Sequence, residues 1–320
     1  MQIPSLKLLR NMLLIRIVEE QIAKNYSENE MRCPTHLSVG QEASASGVGL
    51  ALKKSDLAVS THRSHAHYLA KGGNLKRMIA EIYGKETGCS RGRGGSMHLI
   101  DSKVGFKGST AIVGNSMPIG VGLGLSLKIK KQKNISVIFC GDGSIEEGVF
   151  FESINFSATK KLPVLFVCEN NLYSVYSSLS ARQPKERKIY KMVEAMGVDS
   201  YLADGNNVED VYRLTKQAVA EIKEVGKPRF IELSTYRWLE HCGPNFDNDI
   251  GYRSPEEFKA WKKKDPIELY IKILLEKKII TKTDIVKIKK EIKQEVKKAF
   301  SFAKESPFPD SKDAFRSLFA

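Results

Sequence analysis

Residues 135–147 read Ile-Ser-Val-Ile-Phe-Cys-Gly-Asp-Gly-Ser-Ile-Glu-Glu. A short β-branched and aromatic run stops at Gly141, and the residues after it have the composition of a turn. Such a run, bounded by breakers, reads as a buried parallel strand over 135–140. Ligands of open α/β sheets sit beyond the carboxyl ends of strands, and glycines there let backbone amides approach a phosphate. A helical pattern over 146–159 then leads to a second apolar run, 163–169, which ends in Asn170-Asn171. In a parallel βαβ unit the two strand ends lie on one side of the sheet, with neighbouring strands about 4.8 Å apart. Asp142 and Asn171, 29 positions apart (171 − 142), then reach one small cation. One carboxylate, one amide oxygen and a carbonyl make an under-charged oxygen site, of the kind that Mg²⁺ completes with phosphate oxygens. A diphosphate is therefore the implied missing ligand. Gly-Asp-Gly by itself also reads as a plain turn and the Asn pair as a loop cap; the strand-helix-strand spacing is what favours a shared site.

The same alternation extends along the chain. Strands are expected at 57–60 and 229–235, and helices at 118–130, 186–196 and 208–225. Leu6, Leu9, Leu13 and Ile17 recur at helical steps and mark an N-terminal helix. The fold class that follows is α/β, a doubly wound, mostly parallel sheet with helices on both faces. Gly120, Gly122 and Gly124 fall inside one of these helices, where each costs about 1 kcal/mol relative to Ala, and read as sites of close packing. Residues 1–255 form the expected main domain. Residues 256–320 form a lysine-rich helical extension packed on it, with Ile285, Ile288, Ile292, Val296 and Phe300 on one face.

The 320 residues carry 51 Lys and Arg against 37 Asp and Glu, a net charge of +14. Between Lys259 and Lys304 there are 15 Lys and 6 acidic residues, so this section alone supplies +9 (15 − 6). The excess is thus the solvated face of a tail without interleaved aromatics, and neither nucleic acid nor a membrane is the expected partner. A basic nucleic-acid or membrane-surface binder is kept as the remote alternative. The apolar stretch 12–15 is broken by Arg16, and no apolar run approaches the ~18 residues of a spanning helix. Cys33, Cys89, Cys140, Cys168 and Cys242 form no metal-ligand cluster, and their odd number points to a reducing, cytoplasmic setting.

Several motifs in order around this unit resemble one family. They are residues 139–143 with 147–153, then Lys161-Leu162-Pro163-Val164 and Cys168-Glu169-Asn170-Asn171-Leu172-Tyr173. His36-Leu37-Ser38-Val39-Gly40-Gln41-Glu42-Ala43, Thr61-His62-Arg63-Ser64-His65, the glycine-rich 88–98 and Tyr236-Arg237 join them. Together they resemble the alpha subunit of the thiamin-diphosphate-dependent 2-oxo acid dehydrogenases, the first component of pyruvate and acetoin dehydrogenase complexes, over roughly residues 5–255. The resemblance implies the thiamin-diphosphate-binding fold, with thiamin diphosphate and Mg²⁺ as cofactors. It implies that Asp142, Asn171 and the main-chain carbonyl of Tyr173 hold the metal, that Gly143 and Ser144 face the diphosphate, and that Arg63, with His62 beside it, neutralises it. Ala111 and Val113 would meet the aminopyrimidine ring through backbone atoms. His36 and His241 would stand near the substrate and reacting carbon as the catalytic pair, His241 also touching cofactor. His65 and His98 fall in the same motifs with a supporting role, and Arg91 and Arg93 read as surface or interface charge.

The implied activity is oxidative decarboxylation of a pyruvate-like 2-oxo acid, or cleavage of acetoin, with the acyl group passed to a lipoyl-bearing acyltransferase component. The alternative within the same cofactor chemistry is a non-oxidative carboligase or transferase. Because the family's cofactor-activating glutamate comes from a beta chain, the implied unit is an α₂β₂ heterotetramer. The chain departs from the pyruvate type at Leu239-Glu240-His241-Cys242, where His-Gly-His-Ser is usual after Tyr-Arg and an aromatic residue, here Trp238. Cys242 replaces a serine that is phosphorylated in some relatives, and Glu240 places a negative charge near the expected path of an anionic substrate.

Overall fold

The computed structural model describes residues 2–31 and 33–313, so residues 314–320 of the expected extension lie outside the described residues. Along the chain the elements are α1 Ser5–Asn25, α2 Glu42–Ala51, β1 Leu57–Ser60, α3 His65–Ala70, α4 Leu75–Ile82, β2 Phe106–Ser109, α5 Ser116–Ile129, β3 Ser136–Gly141, α6 Gly148–Lys160 and β4 Val164–Asn170. They continue as β5 Tyr173–Ser174, β6 Ser177–Ser178, α7 Leu179–Arg182, α8 Ile189–Ala195, β7 Asp199–Asp204, α9 Val208–Val225, β8 Arg229–Ser234, α10 Pro255–Lys262, α11 Pro266–Glu276 and α12 Lys282–Glu305.

Six strands form one sheet in the order β2-β1-β3-β4-β8-β7, all parallel, and β5 and β6 make a small separate hairpin. Alternate strand residues feed two cores. Val137, Phe139, Leu165, Val167, Ile231 and Leu233 pack with α1, α2 and α9, while Ile138, Cys140, Val164, Phe166 and Phe230 pack with α5, α6 and α8. The sheet is therefore covered on both faces, as a run of strands without polar alternation requires. Chain order moves outward in one direction from β1 to β2 and in the other from β3 to β4. The order reverses between β1 and β3, which leaves a crevice above their carboxyl ends.

The four strands expected from sequence form close to their expected limits. β2 and β7 were not expected, because both are edge strands with little to bury: Phe106 alone is buried in β2, and β7 has no buried residue. The helix after β3 starts at Gly148 rather than Glu146, since Ser144–Glu146 closes a 3₁₀ turn first. A Cβ on Gly120 would collide with Ile138, and one on Gly124 with Val164, so these two glycines bring α5 against the sheet. Gly122 faces open space. At the C-terminus α12 carries a capping box between Thr281 and Asp284 and buries Ile292, Val296, Ala299, Phe300 and Ala303 against α1 and α4. Its lysines at 287, 290, 293, 297 and 298 are exposed, the solvated face expected of this tail.

Candidate functional site

All eleven residues expected at the site line a single cavity above the β1/β3 crevice. His62 and Arg63 follow β1, and Ala111 and Val113 follow β2. Asp142, Gly143 and Ser144 follow β3, while Asn171 and Tyr173 follow β4. His241 comes from the loop after β8, and His36 from the loop between α1 and α2. The last two meet because residue 36 pairs with Gly243 in an isolated parallel bridge, and Gly243 N–H donates to the Thr35 carbonyl at 2.8 Å.

One wall of the cavity is carboxylate and amide. Asp142 is almost wholly buried and accepts from the Asn171 backbone N–H at 3.3 Å and from the Arg182 guanidinium. Burial pushes the Asp142 carboxyl above its ordinary value, and Arg182 opposes that shift. The Asn171 side-chain oxygen accepts from Tyr173 N–H at 3.2 Å, and its amide reaches Gln41 Oε1 at 3.5 Å. The backbone there is unusual: Leu172 and Val175 have φ of 73° and 54°, in the left-handed region that non-glycine residues rarely enter. A Cβ on residue 143 would stand 2.6 Å from Ser174 Oγ, so any larger residue at this position of the turn must displace the Ser174 side chain.

The other wall is imidazole and guanidinium. The rings of His36, His62 and His241 form a triangle with centroid separations of 4.5, 5.1 and 5.2 Å. Behind them Arg63, 6% exposed, donates to the Leu37 carbonyl at 2.6 Å and to the His241 carbonyl at 3.1 Å. Burial first, and the Arg63 charge second, bring His36 down to about 2, His62 to about 4 and His241 to about 3. All three imidazoles are therefore neutral near pH 7. Their ring nitrogens come within 4.8 Å of one another. A dication among them would nonetheless meet the same burial penalty and the same Arg63 repulsion that expel the proton. This wall suits an anion or a neutral polar group, and the buried Nδ1 of His36 has no hydrogen-bond partner.

Supporting contacts hold both walls. Glu19, fully buried on α1, accepts from Ser38 N–H at 3.0 Å and lies 3.0 Å from His65 Nδ1, whose Nε2 is 2.8 Å from Ser96 Oγ. His65 thus ties the His36 loop to the glycine-rich loop, while His98 is exposed and outside the cavity lining. Gly40, at φ 99°, brings its loop against the Tyr236 carbonyl, where any side chain would clash. In the glycine-rich loop the N–H groups of Ser90, Gly92, Gly94 and Gly95 converge on the buried Glu81 carboxylate at 2.6–3.2 Å. Arg91 and Arg93 are exposed beside it, as expected of surface charge. Glu240 accepts from Asn245 N–H at 2.8 Å and is not among the lining residues, so its charge is used to shape its own loop. Buried Arg237 and Arg253 meet on Asp247 and brace that loop; Arg237 also donates to the Val175 carbonyl at 2.7 Å.

Sequence reasoning did not single out Gln41, Thr61, Met97, Glu169, Ser174 and Val175, which also line the cavity. Gln41, Thr61, Met97 and Glu169 lie inside motifs already quoted and were legible there. Arg182 and Glu257 carry no local signal. Glu257, on α10, accepts from the Tyr173 hydroxyl at 2.8 Å and from the Tyr236 hydroxyl at 2.8 Å, which fastens the C-terminal section to the loop after β4.

A parallel, doubly covered sheet with a polar cavity at its topological switch point defines an α/β enzyme of the ligand-in-crevice class. Residues 10–312 match the family model described as dehydrogenase E1 component, and the chain belongs to that family, among the oxidoreductases. It is 36% identical to the pyruvate dehydrogenase E1 component subunit alpha of Rickettsia felis, covering 98% of this chain and 95% of that one. The subunits of the same name from Porphyra purpurea and, as the chloroplastic alpha-3 form, from Arabidopsis thaliana are each 34% identical. They are covered to 92% and 74% of their lengths by 98% of this chain.

Proposed function

We propose that this chain is the alpha subunit of an α₂β₂ thiamin-diphosphate-dependent dehydrogenase that oxidatively decarboxylates pyruvate or a closely similar 2-oxo acid. The observation that carries the reading is the convergence of a buried carboxylate, a glycine turn and a neutral imidazole triangle around one crevice. The donor set fits the implied cofactor. Asp142, Asn171 and the Tyr173 carbonyl would hold Mg²⁺, Gly143 and Ser144 would present backbone to the diphosphate, and Arg63 with His62 would neutralise it. Ala111 and Val113 would meet the aminopyrimidine ring. When bound, thiamin diphosphate supplies the carbon nucleophile and the electron sink.

The chain's own part is binding, orientation and proton handling. His36, with an unpartnered Nδ1, and His241, neutral beside it, can each donate or accept one hydrogen bond toward the substrate oxygen or carboxylate. Of the cavity's carboxylates, Asp142 is paired with Arg182, while Glu169 stands 3.1 Å from His67 Nε2 without a hydrogen bond to it. The carboxylate that activates the cofactor is expected from the beta chain, as in the family. Val113, Val175 and Tyr176, 42–49% exposed, together with Ile112 nearby, offer that chain an apolar surface at or beside the cavity mouth. The acyl acceptor is a lipoyl-bearing acyltransferase component. The five free cysteines suit a reducing, cytoplasmic compartment.

The test is to co-purify the chain with its beta subunit and screen 2-oxo acids and acetoin for turnover, with and without a lipoyl acceptor. Acceptor-dependent release of carbon dioxide from pyruvate or a near relative is expected. Acceptor-independent carbon–carbon bond formation would instead establish a carboligase.

A further inference from the structure

The end of the sheet opposite the β1/β3 crevice is basic. In a parallel sheet the turns that lead into the strands gather at one end, together with the carboxyl ends of the connecting helices. There the segments before β1, β3, β4 and β8 enclose a cavity lined by Lys53, Lys128, Lys131, Lys133, Lys161 and Lys223, with no acidic residue among its described lining. All six lie outside the section from Lys259 to Lys304. Two are engaged within the chain: Lys128 Nζ donates to the Lys160 carbonyl at 2.5 Å, and Lys223 pairs with buried Asp56 at 3.3 Å. The other four, Lys53, Lys131, Lys133 and Lys161, are exposed and make no ion pair or side-chain hydrogen bond among the described residues.

Helix C-termini attract cations, and α5, α6 and α9 all end here. That role does not use up the charge. Three helix ends carry about −1.5 together, and with Asp56 they offset about 2.5 of the six positive charges. More than half of the positive charge therefore has no counterpart within the chain. The backbone makes the same point. Lys131 and Lys161 have φ of 52° and 49°, whereas α9 closes in that left-handed region with Gly226 at 65°. Glycine is the unstrained choice there, so α5 and α6 keep lysine against the local preference of the backbone. Between the lysines the lining is partly apolar, with Pro163, Ile222 and Val225, the last 48% exposed, and it includes no aromatic side chain.

We propose that this end of the sheet docks an acidic segment of a partner protein, its carboxylates on Lys53, Lys131, Lys133 and Lys161 and an apolar side chain on Pro163 and Val225. Charge complementarity selects an anionic partner. The apolar floor selects peptide over single-stranded nucleic acid, whose bases stack on aromatic rings that this lining lacks. Because the cavity lies at the far end of the sheet from the site's mouth, a segment bound here leaves the surface offered to the beta chain free.

The experiment uses the full chain assembled with its beta subunit and a fluorescein-labelled peptide, Glu-Asp-Glu-Leu-Asp-Glu-Asp-Glu, read by fluorescence anisotropy. The wild type should bind it, more weakly as salt is raised, and no binding would overturn the proposal. Lys131→Glu with Lys133→Glu and Lys161→Glu should weaken the peptide at least about tenfold. Lys287→Glu with Lys290→Glu and Lys298→Glu on α12 makes an equal change in net charge and should stay within about twofold. Equal weakening by both sets would overturn the proposal, because net charge alone would then explain binding. A uridine oligonucleotide of the same charge should bind more weakly than the peptide. Tighter binding of it, lost with the first three substitutions, would overturn the proposal in favour of nucleic acid. Should the triple reversal fail to assemble, Lys131→Gly with Lys161→Gly decides. Glycine relieves both left-handed positions, so this variant should melt no lower than the wild type while binding the peptide at least about threefold more weakly. Full affinity in it would refute the proposal.

Discussion

On one wall of the cavity Asp142 is held by a backbone N–H and a guanidinium, so its charge is met from within the chain. On the other wall the buried Nδ1 of His36 has no partner, and Arg63 spends two donors on the carbonyls of Leu37 and His241 rather than on a carboxylate. The carboxylate wall closes on itself without ligand; the imidazole wall stays open, neutral and positively biased by Arg63. A site finished this way is asymmetric in what it accepts. A cation must compete for its place, whereas an anion meets the positive bias of Arg63 and the unpartnered Nδ1 of His36.

The largest effect that tests this contrast is expected from Asp142→Asn. In the assembled complex, calorimetric titration should show Mg²⁺-dependent thiamin diphosphate affinity falling by at least about 100-fold, since a charged ligand is lost. Unchanged affinity would dissolve the distinction between the walls.

Acid stability probes the opposite wall. The three imidazoles bind protons more weakly in the folded chain than at their ordinary value of 6.5, so the unfolded chain carries more protons at lower pH. Stability is therefore full above about pH 6.5 and declines as pH falls toward 4, by about 1.4 kcal/mol per pH unit for each proton taken up on unfolding. Urea unfolding of the cofactor-free chain between pH 7 and pH 4 should show this slope, and His36→Asn should flatten it. An equal slope in the variant would show that His36 is not among the groups responsible.

Gly143→Ala tests the cradle between the walls. The added methyl meets Ser174 Oγ, so thermal unfolding should report a loss of about 1–3 kcal/mol, and adding Ser174→Gly should recover part of it. A comparable or somewhat smaller cost, about 1–2 kcal/mol, is expected for Glu257→Ala, which strips the Tyr173 and Tyr236 hydroxyls of their shared acceptor. The smallest effect belongs to the lysine face of α12: Lys290→Glu should change stability by less than about 0.5 kcal/mol and leave cofactor affinity alone. A large loss there would mean that the tail's charge serves the site after all.

Much of the site was readable because its chemistry sits at strand ends. A buried parallel strand must be apolar throughout, so β3 and β4 announce themselves, and the polar residues that follow each are conspicuous by contrast. That is why Asp142, Gly143 and Asn171 stood out before any geometry was known. The edge strands β2 and β7 were missed for the converse reason, since an edge needs no apolar run. The loop at 88–95 shows a different failure. Its glycines look made for phosphate, and their N–H groups do gather on an anion, but the anion is Glu81 of the same chain.

By itself the sequence determined the parallel α/β class, the βαβ unit that places Asp142 beside Asn171, the family, and the lysine-rich section from Lys259 to Lys304 that supplies +9 of the +14 charge. Each of these depends on periodicity or on residues close along the chain. Only the tertiary structure decided that Arg182 covers Asp142, that Glu257 from α10 fastens Tyr173, and that His36 and His241 meet in one triangle. Those pairings join residues 40, 84 and 205 positions apart (182 − 142, 257 − 173, 241 − 36). At such separations nothing local biases a side chain toward its partner, and only packing of the whole sheet and its helices brings the two together.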